Sequence, residues 1–533
     1  MKPRWGIVIL VALISFASGG YLLRGVRDHT ALGGSELLET VMQYMNKYYV
    51  DSLPTDSIYA LAASGAVKQL HDPYSSLEAN EDYRALNEIT TGNYGGLGMQ
   101  IEAREGWITV VAPLPQTPAE RAGIEAGDRI EAVNGQSMRG FSQDKAVKTL
   151  RGEIGTKVEL KVHRIGVAQL MPFSLVREKI HSRSTQPGTI LEHSIGYVAL
   201  TTISDSSAGE LRREVDELLK QGIKGLILDL RGNPGGLLTQ GVRVSDLFLD
   251  PERKIVETRG RTTEMTHLYT DQTAQVWPTL PVVVLVNEYT ASAAEIIAGA
   301  LQDNDRAAVV GTATFGKGLV QTLWSFGDGK GLKLTTGRWY TPSGRTIQRT
   351  VKNGEDQIDL ATAEANRQGT RWLDSLPSFK SAGGRVVKGG GGIVPDRIVR
   401  ADTLTAGERD FVKGIGANVA AFRDAIVGVA LDVKEKRLVS APDFRVSDAM
   451  HEAVLARLKA KHVVFTPDQL AGGGQWLDRQ LSYEVDRYVF NRAAELRRRT
   501  GDDAQVRAAL QLFRGGATPA TLMAQVAGGP SVR

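Results

Sequence analysis

A serine and a lysine are the residues of this chain whose types and surroundings could do chemistry. Ser292 lies in "TASAAE", where the apolar run "PVVVLVN" gives way to a helix, and Lys317 lies between glycines in "FGKGLVQ". A serine hydroxyl is protonated at neutral pH and needs a base before it can attack. A lysine can be that base once burial lowers the pKa of its amine. Taken singly, each residue also fits a structural interpretation, a helix cap for Ser292 and an exposed turn for Lys317.

The stretch "DLRGNPGG" (Asp229 to Gly236) is a second candidate for chemistry. A glycine-rich turn between a strand and a helix can direct backbone N–H groups at an anion. The same turn could simply need positive φ, or could hold a phosphate. Neither the Gly-Lys-Ser/Thr ending of a phosphate loop nor GxGxxG occurs here. The spacing alone leaves an oxyanion hole and a plain turn both open.

Composition excludes several classes of protein. The chain has 533 residues, 42% hydrophobic and 23% charged, which predicts a folded protein of about three domains. Its net charge of +4 is too small to indicate nucleic-acid binding, and we interpret the basic stretch 492–503 as the solvated face of a helix. The absence of cysteine excludes disulfides, thiol nucleophiles and cysteine-bound zinc, and suits an oxidising compartment. None of the eight histidines lies in a motif typical of a catalytic triad.

The N-terminus has the pattern of an export signal. Lys2 and Arg4 precede an apolar run from Gly6 to Leu23, and Arg24 follows it. The run is near the lower length limit for crossing a bilayer, so residues 1–30 are predicted to be either a cleaved signal peptide or, as we favour, an uncleaved anchor in the inner membrane. In both cases the body of the protein is extracytoplasmic, and periplasmic in a Gram-negative bacterium.

Hydrophobic periodicity divides the remaining chain into four regions. Residues 31–91 read as amphipathic helices, and residues 92–168 as a β-rich module with short strands divided by glycine and proline. In residues 169–401 apolar strands alternate with helices, which predicts a largely parallel sheet covered on both faces. Residues 402–533 are helical again and could cap the site, bind an adaptor or mediate self-association.

Several ordered motifs together resemble one enzyme family. The block "TASAAEIIAGALQDNDRAAVVGTATFGKGLVQ", with "DLRGNPGG", "GGGGIVPD" and "LHDPYSSL", is similar to the C-terminal processing peptidases, or tail-specific proteases, over residues 36–400. These are serine peptidases with a Ser/Lys dyad. The resemblance implies a crotonase-like α/β protease core with an inserted PDZ domain, an N-terminal helical segment and a C-terminal helical region. It implies neither a metal nor an organic cofactor.

The resemblance also implies roles for individual residues. Ser292 would be the nucleophile, and Lys317 the general base and then the general acid for the leaving amine. Gln321, which we place one helical turn beyond Lys317, would orient the lysine. The backbone N–H groups of Ala293 and Gly235 would bind the oxyanion. Gly236 is the alternative second donor, and the sequence leaves that choice open.

The β-rich module looks like a PDZ domain that reads chain ends. In "YGGLGMQIE" the backbone N–H groups of Gly96, Leu97 and Gly98 would hold a terminal carboxylate, and the peptide would add to the strand "MQIE". Arg151 in "TLRGEIG" matches a position that couples the PDZ domain to the active site in some relatives, and a surface arginine is the alternative. The alternative to peptide binding is that the module is only a spacer.

We therefore expect a serine endopeptidase, membrane-anchored or secreted, that cleaves proteins with accessible C-terminal tails. The first alternative is a noncatalytic PDZ-bearing scaffold on the same fold. A weaker alternative, an acyl-CoA enzyme of the wider crotonase-like fold, would explain neither the PDZ module nor the Ser292/Lys317 pair.

Overall fold

The computed structural model describes residues 33–104, 106–164, 167, 169–327, 329–350, 358, 371–514, 517–528 and 531–532. The predicted signal or anchor over residues 1–30 lies outside the described residues. The chain forms two compact units, one made of Met1–Tyr83 and Gln321–Thr335 and the other of Arg84–Val320 and Thr336–Arg533.

The first unit contains two helices and a short strand. Helices α1 (33–48) and α2 (Thr55–Lys68) are followed by strand β1 (Ser76–Ala79), which pairs antiparallel with the beginning of β18 (Lys330–Tyr340). β18 in turn follows β17 (Leu319–Gly327) and pairs with it. The helices predicted within residues 31–91 are observed as α1, α2 and α3 (Asn80–Thr91), although β1 interrupts them.

The β-rich module is a six-stranded antiparallel sheet with its own small core. Strand β7 shows why the chain folds this way, because Val158, Leu160 and Val162 are buried while Glu159 and Lys161 between them are exposed. β8, which the predicted boundary at residue 168 leaves outside, pairs with β7 along its length. The elements are β3 (Met99–Arg104), β4 (Trp107–Pro113), α4 (Pro118–Arg121), β5 (Arg129–Val133), β6 (Gln136–Ser137), α5 (Gln143–Leu150), β7 (Lys157–His163) and β8 (Met171–Val176).

A two-stranded link joins this module to the rest of its unit. β2 (Asn93–Gly96) enters the module and β9 (Glu178–His181) leaves it, and the two strands pair antiparallel. Just beyond β9, the buried Glu210 carboxylate accepts hydrogen bonds from the backbone N–H of Ser184 (2.7 Å) and from the Ser206 hydroxyl (2.7 Å), and it also binds His181 Nε2. Glu210 therefore anchors the chain at the exit of the module.

The second unit is organised around a seven-stranded sheet of order β10-β11-β12-β15-β16-β21-β22. β10 is antiparallel to β11, and all the other neighbouring pairs are parallel. Every residue of β12, β15 and β16 is buried, as the near-continuous apolar runs predicted. The strands are β10 (Thr189–Leu191), β11 (Ile195–Ala199), β12 (Gly225–Asp229), β15 (Val282–Val286), β16 (Ala307–Gly311), β21 (Arg397–Ile398) and β22 (Ser531–Val532).

The two faces of this sheet are covered by different parts of the chain. Leu228 and Val284 belong to a cluster that includes residues of α6 (Ser207–Lys220), α7 (Leu238–Asp246) and α8 (Ala293–Asp303). Ile227 and Val283 on the other face share a cluster with residues of the helices Arg492–Gly501, Ala504–Leu512 and Pro519–Ala524, here called the covering helices. The last part of the predicted C-terminal helical region therefore completes the core of the sheet.

Smaller strands flank the sheet. β13 (Lys254–Gly260) pairs antiparallel with β14 (His267–Thr270) and with the end of β18. β19 (Ser378–Lys380) pairs with β20 (Val386–Lys388), shortly after the short helix Arg371–Asp374.

Four further helices form a bundle with a separate core, here called the C-terminal bundle. Phe411 is fully buried in it, and its ring stacks on that of Phe465 with 4.4 Å between centroids. The segment Ala406–Glu435 is long and apolar enough to cross a membrane by length and composition, but half of its most apolar stretch is buried inside the protein. Its apolar residues thus fit the interior of a bundle. The helices are Ala406–Ile415, Val419–Glu435, Asp448–Ala460 and Pro467–Val485.

Candidate active site

Ser292 sits between a buried strand and a buried helix in a strained backbone conformation. β15 ends at Val286 and α8 begins at Ala293, so Ser292 occupies the cap position of the helix. Its φ of 55° and ψ of −120° lie outside the regions that side chains favour. Such a conformation costs on the order of 1–3 kcal/mol and persists only where the surroundings impose it. In this conformation Ser292 is partly exposed, whereas its neighbours Ala291 and Ala293 are buried.

A buried carboxylate, that of Glu295, imposes this geometry. Glu295 is fully buried on the first turn of α8. Its Oε2 accepts the backbone N–H of Ser292 (2.8 Å) and of Lys317 (2.9 Å), and its Oε1 accepts the N–H of Gly316 (2.7 Å) and the hydroxyl of Thr314 (2.5 Å). Burial raises the pKa of this carboxyl, and the four donated hydrogen bonds oppose that rise.

The structure therefore brings the predicted nucleophile and the predicted base together at the main chain. The backbone nitrogens of Ser292 and Lys317 are bound to one oxygen atom of Glu295, so they are less than two hydrogen-bond lengths apart. Their side chains are partly exposed, so both belong to the surface of the same site. The sequence analysis did not assign Glu295 a role, although it lies inside the quoted stretch "TASAAE".

The loop that carries Lys317, here called the lysine loop, is also bound by a tryptophan and an arginine. Trp339 Nε1 donates to the carbonyl of Lys317 (3.0 Å), and the Trp339 N–H donates to that of Gly318 (2.9 Å). The Arg349 guanidinium donates to the carbonyls of Thr314 (2.9 Å) and Gly391 (2.7 Å). Through Arg349, the loop is thus joined to the "GGGGIVPD" motif.

Gln321 is not one helical turn beyond Lys317, and that predicted placement is wrong. It is the third residue of strand β17, whose sequence "LVQTLWSFG" is rich in the aromatic and β-branched residues that strands favour. Gln321 Nε2 is buried and has no hydrogen-bond partner among the described residues. Its role in orienting Lys317 stays a prediction.

The "GNPGG" turn lies directly against Ser292. A Cβ built on Gly235 would be 2.8 Å from Ser292 Cβ and 2.9 Å from the backbone nitrogen of Ala293. The Gly235 N–H, however, donates to Asn233 Oδ1 (2.8 Å). Gly235 can therefore bind an oxyanion only if that hydrogen bond opens, and its predicted role stays a prediction.

The neighbouring Gly236 fits the second donor in the conformation observed. Gly235 O accepts from Ile203 N (3.0 Å) and Leu237 N donates to Ile203 O (3.0 Å), so in this parallel pairing the Gly236 N–H points away from Ile203. Across the described ranges, no acceptor is bound to the N–H of Gly236 or of Ala293. A role for these two N–H groups in binding an oxyanion stays a prediction.

The motif "DLRGNPGG" also connects the site to a covering helix. Arg231 binds Asp229 (2.6 Å) and, through Nη1, both Asp503 (2.6 Å) and Gln505 (2.8 Å) at the start of the helix Ala504–Leu512. Asp229 in turn accepts from the Tyr197 hydroxyl (2.6 Å). In the described ranges no group of three or more histidine, aspartate or glutamate side chains is arranged to hold a metal ion.

The loop at residues 96–98 also has backbone donors to offer. Leu97 is buried, its carbonyl accepts from Ala119 N (2.9 Å), and the Gly98 carbonyl accepts from Leu114 N (2.8 Å) and Thr117 Oγ1 (2.8 Å). Within the described part of the chain, the N–H groups of Leu97 and Gly98 have no acceptor. This arrangement is what a carboxylate-binding loop at the start of β3 requires.

Arg151 packs on the segment by which the chain enters the module. Its Nη1 binds Glu88 Oε2 on α3 (2.7 Å), and its guanidinium lies 4.0 Å from the centre of the Tyr94 ring on β2. Arg151 is thus more than an isolated surface arginine. A role in coupling the module to the active site stays a prediction.

The chain is similar to known proteases over most of its length. A model of peptidase family S41 matches residues 194–355, and a PDZ domain model matches residues 109–164. The carboxy-terminal processing protease CtpA of Bacillus subtilis (strain 168) is 36% identical over 376 residues, which cover 70% of this chain and 79% of that protein. A probable CtpA-like serine protease of Staphylococcus aureus (strain COL) is 34% identical over 345 residues, covering 64% of this chain and 68% of that protein.

Solved structures of proteases are also similar in sequence. The photosystem II D1 C-terminal processing protease is 29% identical, with a TM-score of 0.34, over 58% of this chain and 89% of that chain. The PDZ domain of a carboxy-terminal protease from Vibrio cholerae, in complex with a peptide, is 25% identical with a TM-score of 0.16, over 17% of this chain and 98% of that chain.

Proposed function

Because this chain belongs to peptidase family S41, among the carboxy-terminal processing serine proteases with a PDZ domain, we propose that Ser292 and Lys317 form its catalytic dyad. The observation that carries the proposal is the shared carboxylate of Glu295, which binds the backbone N–H of both residues. A nucleophile and a base that act together need such a common support, because small displacements lower the rate steeply.

The proposed reaction passes through an acyl-enzyme. The neutral amine of Lys317 takes the proton of the Ser292 hydroxyl as Oγ attacks the peptide carbonyl carbon. The carbonyl oxygen becomes an oxyanion and is bound by the N–H of Ala293 and of Gly236, or of Gly235 once its bond to Asn233 opens. Lys317 then gives its proton to the leaving amine. A water molecule, deprotonated by Lys317, attacks the ester carbonyl carbon. The bond between that carbon and Ser292 Oγ then breaks, Lys317 returns the proton to Oγ, and the acid is released.

Glu295 acts in this proposal as a positioning residue. Both of its oxygens already accept two hydrogen bonds each, so neither is placed to take a proton from substrate. Its contribution is to hold the turn before α8 and the lysine loop at a fixed separation. The orienting role of Gln321 is part of the proposal through the family resemblance.

Substrate selection is assigned to the PDZ domain. The free backbone N–H groups of Leu97 and Gly98, with Gly96 preceding them, bind the terminal carboxylate of a substrate, whose tail adds along β3. The chain upstream of the tail is then delivered for cleavage, and Arg151 couples the two events. The natural substrates are extracytoplasmic proteins with accessible tails, reached by a chain held at the inner membrane through residues 1–30. The C-terminal bundle is available to an adaptor.

The decisive experiment compares variants of the dyad on two reporters, one with a free apolar C-terminus and one with that terminus amidated. Ser292→Ala and Lys317→Ala each lower cleavage of both reporters at least 1,000-fold, as loss of a dyad member does. Lys317→Arg fails equally, because a guanidinium keeps its proton near neutral pH. Lys220→Arg on α6, whose side chain is exposed, serves as the matched control and keeps the parent rate.

Binding of the tail, measured by fluorescence anisotropy of a labelled peptide, stays at the parent affinity in every dyad variant. Cleavage by Ser292→Ala at the parent rate would refute the dyad. A parent protein that binds the tail without cleaving either reporter identifies the alternative, a noncatalytic PDZ-bearing scaffold.

A further inference from the structure

The C-terminal bundle lies against the strand to which the proposed function adds the substrate tail. Glu102 of β3 is 5% exposed, and its Oε2 accepts from Arg423 Nη2 (2.8 Å) on the helix Val419–Glu435. Tyr488, just after the last helix of the bundle, donates its hydroxyl to Glu102 Oε1 (3.4 Å). Because 321 positions separate Glu102 from Arg423, no pattern in the sequence indicated this contact.

The side chains of β3 alternate between two faces. Met99 and Ile101 pack against the core of the β-rich module, so Gln100 and Glu102 lie on the opposite face. β3 pairs with β4 along one edge, and the described residues place no strand on its other edge, where a tail would add. A tail whose last residue is apolar places that residue on the side of Met99 and Ile101. Its second and fourth residues from the end then lie on the side of Glu102.

The fourth residue from the end of the tail is the one that reaches Glu102. The terminal carboxylate is proposed to bind at residues 96–98, and Glu102 lies four residues beyond Gly98, about 13 Å along an extended strand. In an antiparallel tail the fourth residue from the end is about as far from its own terminal carboxylate. Its side chain therefore lies beside the contact between Glu102 and Arg423.

The charge that this side of the tail meets is positive. The Arg423 side chain is 51% exposed, whereas that of Glu102 is 7% exposed. Glu484, a second carboxylate near Glu102, is 12% exposed and is paired with Arg487 (3.3 Å). Arg104, on the same face of β3 as Glu102, is also positive. Glu102 engages one nitrogen of Arg423, and a guanidinium has five N–H donors, so a second carboxylate can bind beside the first.

We propose that Arg423 is a specificity-determining residue of this protease, which selects tails that carry a carboxylate side chain at the fourth position from the end. The inference rests on the proposed function, because it requires that β3 bind tails. It gives the C-terminal bundle a part in substrate binding, a role that the sequence analysis did not consider.

The first test measures the binding of three labelled peptides to the full-length Ser292→Ala chain in detergent micelles by fluorescence anisotropy. The peptides share a free apolar C-terminus and carry glutamate, glutamine or lysine as the fourth residue from the end. We expect the glutamate peptide to bind about fivefold more tightly than the glutamine peptide, as a partly exposed ion pair allows, and the lysine peptide to bind most weakly. The differences should shrink in about 0.5 M salt.

The outcomes of this test separate the inference from the proposed function. Equal affinities for the three peptides overturn the selection by Arg423 and leave the binding of tails intact. Failure to bind any of the three overturns the reading of chain ends by the PDZ domain, and the inference with it.

A second test reverses the charge in the same Ser292→Ala chain. Arg423→Glu should reverse the order, so that the lysine peptide binds more tightly than the glutamate peptide, which damage to the fold alone does not produce. Arg457→Glu is the matched control and should keep the parent order. Arg457 lies in the same bundle, is 41% exposed and forms an ion pair of the same length with Asp432 (2.8 Å).

A third variant does not depend on how Arg423→Glu folds. Glu102→Gln keeps the charge of Arg423 and removes the carboxylate that engages it, so the preference for the glutamate peptide should exceed that of the parent. A purely structural role of the contact predicts the opposite. Loss of the preference in Glu102→Gln, or the same change of order in Arg423→Glu and Arg457→Glu, overturns the inference.

Discussion

Among the described residues, the loops at 96–98 and 233–236 both present backbone N–H groups without an acceptor, and their surroundings differ. The turn at residues 233–236 lies against Ser292, where Gly235 is bound by both Asn233 and Ile203. The loop at residues 96–98 is bound through the carbonyls of Leu97 and Gly98 and leads into β3. The first loop is hydrogen-bonded through both the N–H and the carbonyl of Gly235, whereas the second is hydrogen-bonded through its carbonyls and keeps the N–H groups of Leu97 and Gly98 without an acceptor among the described residues.

The difference follows from the lifetime of the anion that each loop is proposed to bind. An oxyanion exists only during the reaction, so its donors lower the barrier only if they are already in place. A terminal carboxylate is permanent and brings a peptide that must pair with a strand, so the loop beside it has to leave that strand accessible. In the proposed mechanism, donors already in place at residues 233–236 and an accessible strand beside residues 96–98 are therefore both required.

The largest expected effect comes from weakening the hydrogen bonds by which Glu295 holds the turn before α8 and the lysine loop. Glu295→Gln places an amide NH₂ where two hydrogen-bond donors now meet an oxygen. We expect kcat to fall at least 100-fold and the free energy of unfolding to fall by about 3 kcal/mol, since buried donors are left unpaired. Reporter turnover and urea unfolding measure the two quantities. Glu217→Gln, exposed on α6, is the control, and an unchanged kcat in Glu295→Gln would show that the carboxylate does not position the dyad.

The next effect tests, through pH, the anchor that Glu210 forms at the exit of the β-rich module. Burial acts to raise the pKa of Glu210, but hydrogen bonds from Ser206, His181 and Ser184 outweigh it and lower the pKa from 4.5 to about 2. The resulting stability is complete above pH 4.5 and is lost as pH falls towards 2, because the unfolded chain takes up the proton first. The contribution is about 3 kcal/mol.

Glu210→Gln should therefore be less stable than the parent at pH 7, and its free energy of unfolding should fall less steeply between pH 5 and pH 3. Urea titrations at several pH values measure the slope. Equal slopes in parent and variant would contradict the assignment of this titration to Glu210.

A smaller effect is expected from a substitution that crowds the loop at residues 96–98. Gly98 has a φ of 74°, and a Cβ there would lie 2.2 Å from Thr117 Cβ. Gly98→Ala should raise KM about tenfold for a reporter with a free C-terminus and leave turnover of the amidated reporter unchanged. Gly127→Ala is the matched control, since Gly127 has a φ of 93° but open space around it. Equal changes for both reporters would mean that the loop does not read the chain end.

The smallest effect isolates the strain at Ser292. Ser292→Gly removes the penalty of a positive φ and should raise the free energy of unfolding by about 1 kcal/mol, although activity is lost. Ser292→Ala keeps a Cβ and should give no such gain. Urea unfolding of the two variants side by side measures the difference, and identical stabilities would show that the backbone is not strained.

The elements around the candidate site could be predicted from the sequence, because they are built from local motifs. The apolar runs predicted the buried strands β12, β15 and β16. The family resemblance singled out Ser292 and Lys317 as a dyad, which stays a prediction. Glu295 was overlooked, yet a signal for it exists. A glutamate three residues after a serine at a helix start has the spacing of a capping box.

The features that escaped prediction depend on contacts between distant residues. Gln321 lies in a short apolar run after two glycines, where periodicity alone does not separate a strand from a helix. The covering helices were recognisable as amphipathic, but their sequence does not say which surface they cover. Only in the structure does Phe513 lie against Gly225, where a Cβ would be 2.6 Å from the phenyl ring.

The left-handed backbone of Ser292 has a consequence for how such a sequence changes over generations. In the proposed mechanism the demands of chemistry and of folding oppose each other at this residue, because glycine would give a more stable protein without a nucleophile. In a lineage released from the need to cut peptides, random substitution should therefore drift towards glycine at position 292.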